Sequence, residues 1–233
     1  MSAPGRRASH SVLTVTRRAL GPVVRRITGP LHIRSALADR THVALTFDDG
    51  PDPVFTPLVL DQLGRHGVRA TFFLVGHRVA AHPDIVRRVL SEGHAVGSHT
   101  WSHPEPGALT WPRLWRDVVT GRRALDDVVG HRTSLFRPPL GHLDHATTTA
   151  VRLARLQPWL WTTDPRDWEP GRRTDEIVDI VQHTPPGGVV LLHDGLEQPR
   201  APRALDRSAT VRAIPAIVDA VKARGLDFAP LAE

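Results

Sequence analysis

The sequence predicts one α/β domain with a parallel sheet, either a barrel or an open doubly wound sheet. From His42 onward, short apolar runs alternate with longer segments of helical periodicity, and this pattern recurs about seven times. Polar residues cluster directly after several of the apolar runs, which is where a parallel barrel carries its active site. No glycine-rich phosphate-binding motif follows the first run, and this disfavours a nucleotide-binding sheet.

The first half of this domain contains three predicted strands and three predicted helices. We expect strands at 42–47 and 70–75, which are compact apolar runs, and a short strand at 95–97. We expect helices at 54–66, 83–92 and 111–129, with Thr110 as the N-cap of the third and Pro112 in its first turn.

The second half repeats the alternation with four strands and three helices. The apolar runs predict strands at 134–136, 159–162, 188–192 and 225–228. Helical spacing predicts helices at 144–156, 174–183 with Thr174 as the cap, and 208–224. No linker divides the body, so we expect residues 41–233 to form one domain.

The basic character of the chain belongs to residues 1–40, which carry eight arginines and one acid. The rest of the chain has 22 basic and 23 acidic residues, so the body is nearly neutral although the whole chain has a formal charge of +6. We therefore expect no nucleic-acid partner for the body. We interpret residues 1–40 as a poorly ordered extension or as a segment that contacts an anionic surface.

Export and membrane signals are not evident in this extension. Arginine pairs interrupt its apolar stretches before the continuous core of a secretory signal is formed. A membrane span needs about 20 apolar residues in succession, and no run approaches that length.

Asp48 and Asp49 follow the first predicted strand directly. Adjacent carboxylates repel each other unless a cation or a partner compensates. The sequence Asp-Asp-Gly-Pro is also typical of a turn, so the pair alone does not establish a site.

His99 and His103 are spaced so that one helical turn would place them on the same face. By themselves they are equally well explained as ordinary polar residues. With Asp49 they form an Asp, His, His set, which suits zinc and leaves a coordination position open for water and substrate. The chain has no cysteine, so thiolate ligands and a cysteine nucleophile are excluded.

Three further residues follow other predicted strands. His193 ends a very apolar run, where it is either a catalytic group or a core histidine with its hydrogen bonds satisfied. Arg137 could hold a carboxylate in its ionised form, and Asp167 could orient a histidine. With the carboxylates that follow the first strand, these residues supply the base, the acid and the supports of metal-assisted acyl hydrolysis.

Five motifs resemble, in order, those of the polysaccharide deacetylases, the NodB-homology group or carbohydrate esterase family 4. They are Thr46-Phe47-Asp48-Asp49-Gly50-Pro51, His99-Thr100-Trp101-Ser102-His103, Arg137-Pro138-Pro139-Leu140-Gly141, Asp164-Pro165-Arg166-Asp167-Trp168 and Leu191-Leu192-His193-Asp194. The resemblance covers about residues 42–231 and implies a distorted (β/α)7 barrel.

The resemblance also implies a role for each matching residue. It makes Asp48 the general base, positioned by Arg137, and His193 the general acid, held in its tautomer by Asp167. One divalent metal, zinc or a similar ion such as cobalt, would be bound by Asp49, His99 and His103. The acetyl pocket would be lined by Leu140, Trp168, Leu191 and Trp101.

Two positions depart from the family pattern. Leu140 stands where an aromatic residue is common, which alters a wall of the sugar site. Ser98 replaces an asparagine that often precedes the first metal histidine. The chain has no tyrosine, so we expect sugar stacking to rely on tryptophans, with Trp101 and Trp168 near the site.

The resemblance implies a monomeric enzyme that removes acetyl groups from N-acetylglucosamine in a chitin- or peptidoglycan-type glycan. Such glycans imply a place outside the cytoplasm, although residues 1–40 lack a clear export signal. Two alternatives are a sugar-binding relative without catalysis, which an intact Asp48 and His193 disfavour, and a basic nucleic-acid-binding protein.

Overall fold

The computed structural model describes residues 31–197 and 205–232, and the compact unit runs from His32 to Glu233. Its strands are β1 (His42–Asp48), β2 (Thr71–Leu74), β3 (Ala95–Ser98), β4 (Leu135–Phe136), β5 (Gln157–Pro158), β6 (Val189–His193) and β7 (Asp227–Phe228). Its helices are α1 (Phe55–Arg65), α2 (Gly76–Ala81), α3 (Pro83–Ser91), α4 (Trp111–Val129), α5 (His145–Leu153), α6 (Thr174–Val181) and α7 (Ser208–Ala223), with a short 3₁₀ turn at Pro139–Gly141.

The sheet is parallel and curled. Its strand order is β5-β4-β3-β2-β1-β6, and β7 pairs with the start of β1. Successive strands from β1 to β5 are neighbours, and a bridge between Thr163 and Val190 then joins the chain beyond β5 to β6. Because the bridge continues the curl of the sheet from β5 round to β6, the predicted distorted barrel is confirmed and the open doubly wound alternative is wrong.

Strand β1 lies between β2 and β6 and is buried on both faces. All its residues after His42 are buried, as expected for a strand covered by helices on one side and by other strands' side chains on the other. The main core joins β1, β2 and β6 to the inner faces of α1 and α7. The paired strands β1 and β6 therefore hold Asp48 and His193 side by side at their carboxyl ends.

Three details of the predicted elements are wrong. Helix α2 was not expected, because a six-residue helix that begins with glycine has too little periodicity to be recognised. Strand β5 lies at Gln157–Pro158, two residues before the predicted run, and Trp159 forms only an isolated bridge with Arg34. Helix α6 takes Arg173 as its N-cap, with Thr174 as its first residue.

Residues 32–40, which the sequence assigns to the extension, contact the barrel. The Arg34 N–H donates to the Pro158 carbonyl at 3.0 Å, and the Leu37 N–H donates to the Gly187 carbonyl at 2.7 Å. The earlier part of the predicted extension lies outside the described residues. Within residues 31–197 and 205–232, none of the helices has the length and apolar character needed to cross a membrane.

Gly121 allows α4 to approach the loop that contains His99 and His103. A Cβ atom at this position would lie 2.2 Å from the carbonyl carbon of Thr100. We expect Gly121→Ala to lower the free energy of unfolding by about 1–3 kcal/mol, because the backbone contact cannot relax easily.

Gly64 in α1 provides the matched control, because a Cβ there would meet nothing within 4 Å. Gly64→Ala is expected to raise the free energy of unfolding by about 0.4–1 kcal/mol. Urea denaturation measures both variants against the wild type. An equal stabilisation by both substitutions would show that α4 is not packed directly on Thr100.

Candidate active site

The functional side chains lie at the carboxyl ends of adjacent strands. Asp48 and His193 are the last residues of β1 and β6 and are paired in register. His99 follows β3, and Arg137 follows β4. Because these ends meet at one edge of the curled sheet, residues far apart in sequence share one site.

Asp49, His99 and His103 form a group that fits a metal ion. Their ligand atoms lie within 4.8 Å of one another, and Asp49 Oδ1 is 3.4 Å from the Nε2 atom of each histidine. Tetrahedral zinc with bonds of about 2.0–2.1 Å separates its ligands by about 3.3–3.5 Å. Asp49 Oδ1 is buried and has no hydrogen-bond partner among the described residues, as expected of an atom reserved for an ion.

Neighbouring groups set the protonation of these ligands. The Nδ1–H group of His99 donates to the Arg137 carbonyl at 2.7 Å, which leaves Nε2 available as a ligand. Burial acts to raise the pKa of Asp49, but the adjacent imidazoles of His99 and His103 hold this pKa well below its usual range. Asp49 is therefore ionised, as a metal ligand must be.

The loop from His99 to His103 is not the helical turn that the spacing predicted. Thr100 and His103 have positive φ angles of 66° and 49°, so the loop turns sharply and brings the two imidazole centroids to 5.0 Å. Asp117 of α4 supports this loop, because its carboxylate accepts the hydroxyl of Ser102 at 2.8 Å and the N–H of Trp101 at 3.2 Å. The histidines meet through this loop and not through helical periodicity.

Asp48 is held by Arg137, as the sequence predicted. The fully buried guanidinium donates to Asp48 Oδ1 and to the Thr46 hydroxyl, each at 2.7 Å. Two backbone carbonyls, of Trp159 and Leu160, accept its other N–H groups. The Asp48 carboxylate is thereby fixed in direction, and its other oxygen lies 3.9 Å from His99 Nε2.

His193 and Asp167 form a buried pair. The Nδ1–H group of His193 donates to Asp167 Oδ1 at 2.7 Å, so a proton to be transferred is carried on Nε2. Burial acts to lower the pKa of His193, but the charge and hydrogen bond of Asp167 outweigh it and raise the pKa to about 9. The imidazole is therefore protonated at neutral pH and suited to donate a proton.

The two leucines predicted for the acetyl pocket lie in different environments. Leu191 is buried in β6 and, being two residues from His193, lies on the same face of the strand. Leu140 is 59% exposed in the 3₁₀ turn, with a positive φ of 55°.

The two tryptophans predicted for the pocket are both partly buried. The ring of Trp101 packs against α2, where it contacts the position of Gly76 and meets the His77 ring edge-on at 6.4 Å. Trp168 lies beside the guanidinium of Arg166, 5.9 Å from the ring centroid.

Sequence reasoning missed four residues that support the site. The Asp117 carboxylate accepts the backbone N–H of Trp101, and Glu197 donates its own backbone N–H to Asp49. Thr210 donates its hydroxyl to Asp167 at 2.8 Å. Asp194 is fully buried beside Gly50 and accepts the Thr56 hydroxyl, and burial raises its pKa to about 7. Of these four residues, only Asp194 could have been noticed in the sequence, because it follows His193 at the end of an apolar run.

This combination of fold and side chains defines a class, the metal-dependent hydrolases built on a curled parallel barrel. The family model described as polysaccharide deacetylase matches residues 37–159. The chain belongs to the polysaccharide deacetylase family.

Named relatives agree with this assignment. The peptidoglycan-N-acetylglucosamine deacetylase of Bacillus cereus is 39% identical over 82% of this chain and 86% of its own. The chitooligosaccharide deacetylase of a Bradyrhizobium species is 38% identical over 81% of this chain and 88% of its own. The solved structure of a family 4 carbohydrate esterase from Streptomyces lividans, in complex with acetate, superimposes with a TM-score of 0.74 and 30% identity, covering 84% of this chain and 95% of that one.

Proposed function

We propose that this enzyme deacetylates N-acetylglucosamine residues of a chitin- or peptidoglycan-type glycan, with Asp48 as general base and His193 as general acid. The observation that carries the proposal is that two adjacent carboxylates at the end of β1 have different partners. Asp49 faces the two histidines, while the adjacent Asp48 is bound by Arg137. Neighbouring carboxylates thus have separate environments and separate tasks.

Asp49, His99 and His103 are proposed to hold the divalent ion, and their nitrogen and oxygen donors favour zinc. Such an ion supplies Lewis acidity, which polarises an amide carbonyl and acidifies water.

The protein's own residues move the protons. Asp48 accepts a proton from the attacking water, and Arg137 holds the Asp48 carboxylate in place through Oδ1. His193 Nε2 then donates a proton to the amide nitrogen as the carbon–nitrogen bond breaks, which releases acetate and a free amine. Asp167 stabilises the charged imidazole before that transfer.

The substrate proposal rests on the relatives, whose names include peptidoglycan-N-acetylglucosamine and chitooligosaccharides. We further propose that residues 41–233 form the deacetylase domain and that the enzyme acts as a monomer.

The test measures acetate released from N-acetylglucosamine oligomers and from peptidoglycan fragments by zinc-loaded full-length protein. We expect release from at least one of these substrates, loss of activity on chelation and recovery when zinc is added back. Folded, zinc-loaded protein that releases no acetate from either glycan would contradict the proposal.

A further inference from the structure

The metal ligand Asp49 is supported by a segment more than 140 residues away in the sequence. Its Oδ2 atom accepts the backbone N–H of Glu197 at 3.0 Å, in the segment that follows β6. This bond leaves Oδ1 directed between the two histidine Nε2 atoms. Asp49 also has a positive φ of 70°, which is unfavourable for a residue with a side chain and needs support from its surroundings.

Arg78 of α2 binds the same segment at two points. Its Nε–H group donates to the Glu197 carboxylate, and its terminal N–H group donates to the Leu196 carbonyl at 3.0 Å. The Glu197 carboxylate also lies 3.2 Å from His77 Nε2. Side chains of Arg78 and Glu197 are only 19% and 13% exposed, so water screens this ion pair weakly.

The segment lies close against the metal ligand. A Cβ atom at Gly195 would lie 2.7 Å from the Asp49 carbonyl oxygen and 3.0 Å from the Arg78 guanidinium. A small displacement of this segment would therefore move the N–H group that holds Asp49.

We propose that Arg78 is a positioning residue of the metal site, which fixes residues 194–197 through Glu197 so that the Glu197 N–H group orients Asp49. The inference rests on the proposed function, because it takes Asp49, His99 and His103 to be metal ligands. Arg78 is not itself a proposed ligand. It acts through the segment and through the Asp52 carboxylate, which lies 3.7 Å from its guanidinium in the loop that follows Asp49.

The experiment measures the zinc dissociation constant of the full-length protein by competition with a chromophoric chelator. Arg78→Met keeps the unbranched apolar stem of the side chain and removes its ion pair, and Glu197→Gln keeps the backbone N–H group. We expect each to weaken zinc binding by about 10- to 100-fold, as other groups that orient metal ligands do. The double variant should bind zinc no more weakly than Arg78→Met alone, because Arg78→Met already removes the ion pair that Glu197→Gln breaks.

Arg88→Met is the matched control, because Arg88 of α3 also binds two carboxylates, those of Asp61 and Glu92. Its zinc affinity should equal that of the wild type. Thermal unfolding of the metal-free variants reports any general loss of stability. If Arg78→Met fails to fold, Gly195→Ala tests the same segment, since its added Cβ should displace the segment and weaken zinc binding.

The outcomes separate the two proposals. Wild-type protein that binds no zinc, or Asp49→Ala that binds it normally, would overturn the metal site itself. If Asp49→Ala abolishes binding while Arg78→Met and Gly195→Ala retain wild-type affinity, the site stands and the positioning role of Arg78 is wrong. Strictly additive effects of the Arg78 and Glu197 substitutions would also overturn that role.

Discussion

Asp48→Asn is expected to lower kcat for acetate release by roughly 100- to 10,000-fold, the usual contribution of a general base. Asparagine has nearly the same shape, and its amide oxygen can still accept the hydrogen bond from Arg137. What it loses is the ability to take a proton from water. Zinc content should stay at the wild-type level, because the proposed ligands are untouched.

Asp49→Asn is the matched comparison, since it changes the neighbouring carboxylate in the same way. It is expected to lose both zinc and activity, because a neutral amide is a poor ligand beside two histidines. Metal content measured by elemental analysis and initial rates of acetate release distinguish the variants. Loss of zinc from Asp48→Asn would make Asp48 a ligand, and wild-type turnover would exclude it as the base.

The sequence predicted the site better than it predicted the contacts that support it. Asp48, Asp49, His99 and His193 could be recognised because each ends or directly follows a strand, and parallel strands bring their carboxyl ends together. The barrel could be predicted for a related reason, since continuous apolar runs such as β1 are typical of strands buried on both faces.

The supporting contacts could not be predicted because they use main-chain groups and tertiary proximity. Glu197 holds Asp49 through a backbone N–H group, which every residue except proline possesses. Asp117 lies within a long helix, and nothing in the neighbouring sequence indicates that its side chain contacts the His99–His103 loop. The shape of that loop depends on positive φ angles at Thr100 and His103, which residue type does not specify.

Arg137→Met is expected to lower the free energy of unfolding by about 3–5 kcal/mol, because it leaves a buried carboxylate without its charged partner. The guanidinium is fully buried and lies over the Phe73 ring at 4.2 Å, so methionine can fill much of the space but cannot replace the charge. Asp48, 3% exposed, would then remain ionised in an apolar setting or take up a proton.

The double variant Asp48→Asn with Arg137→Met tests this explanation. Removing the carboxylate charge as well should recover part of the lost stability, although the unsatisfied carbonyls of Trp159 and Leu160 would still cost free energy. Arg173→Met removes an exposed ion pair with Asp175 and should leave the free energy of unfolding unchanged. Urea denaturation of chelator-treated protein measures all three variants. If the double variant is less stable than Arg137→Met, the cost does not come from an unpaired charge, and the shared packing of Arg137 would be its source instead.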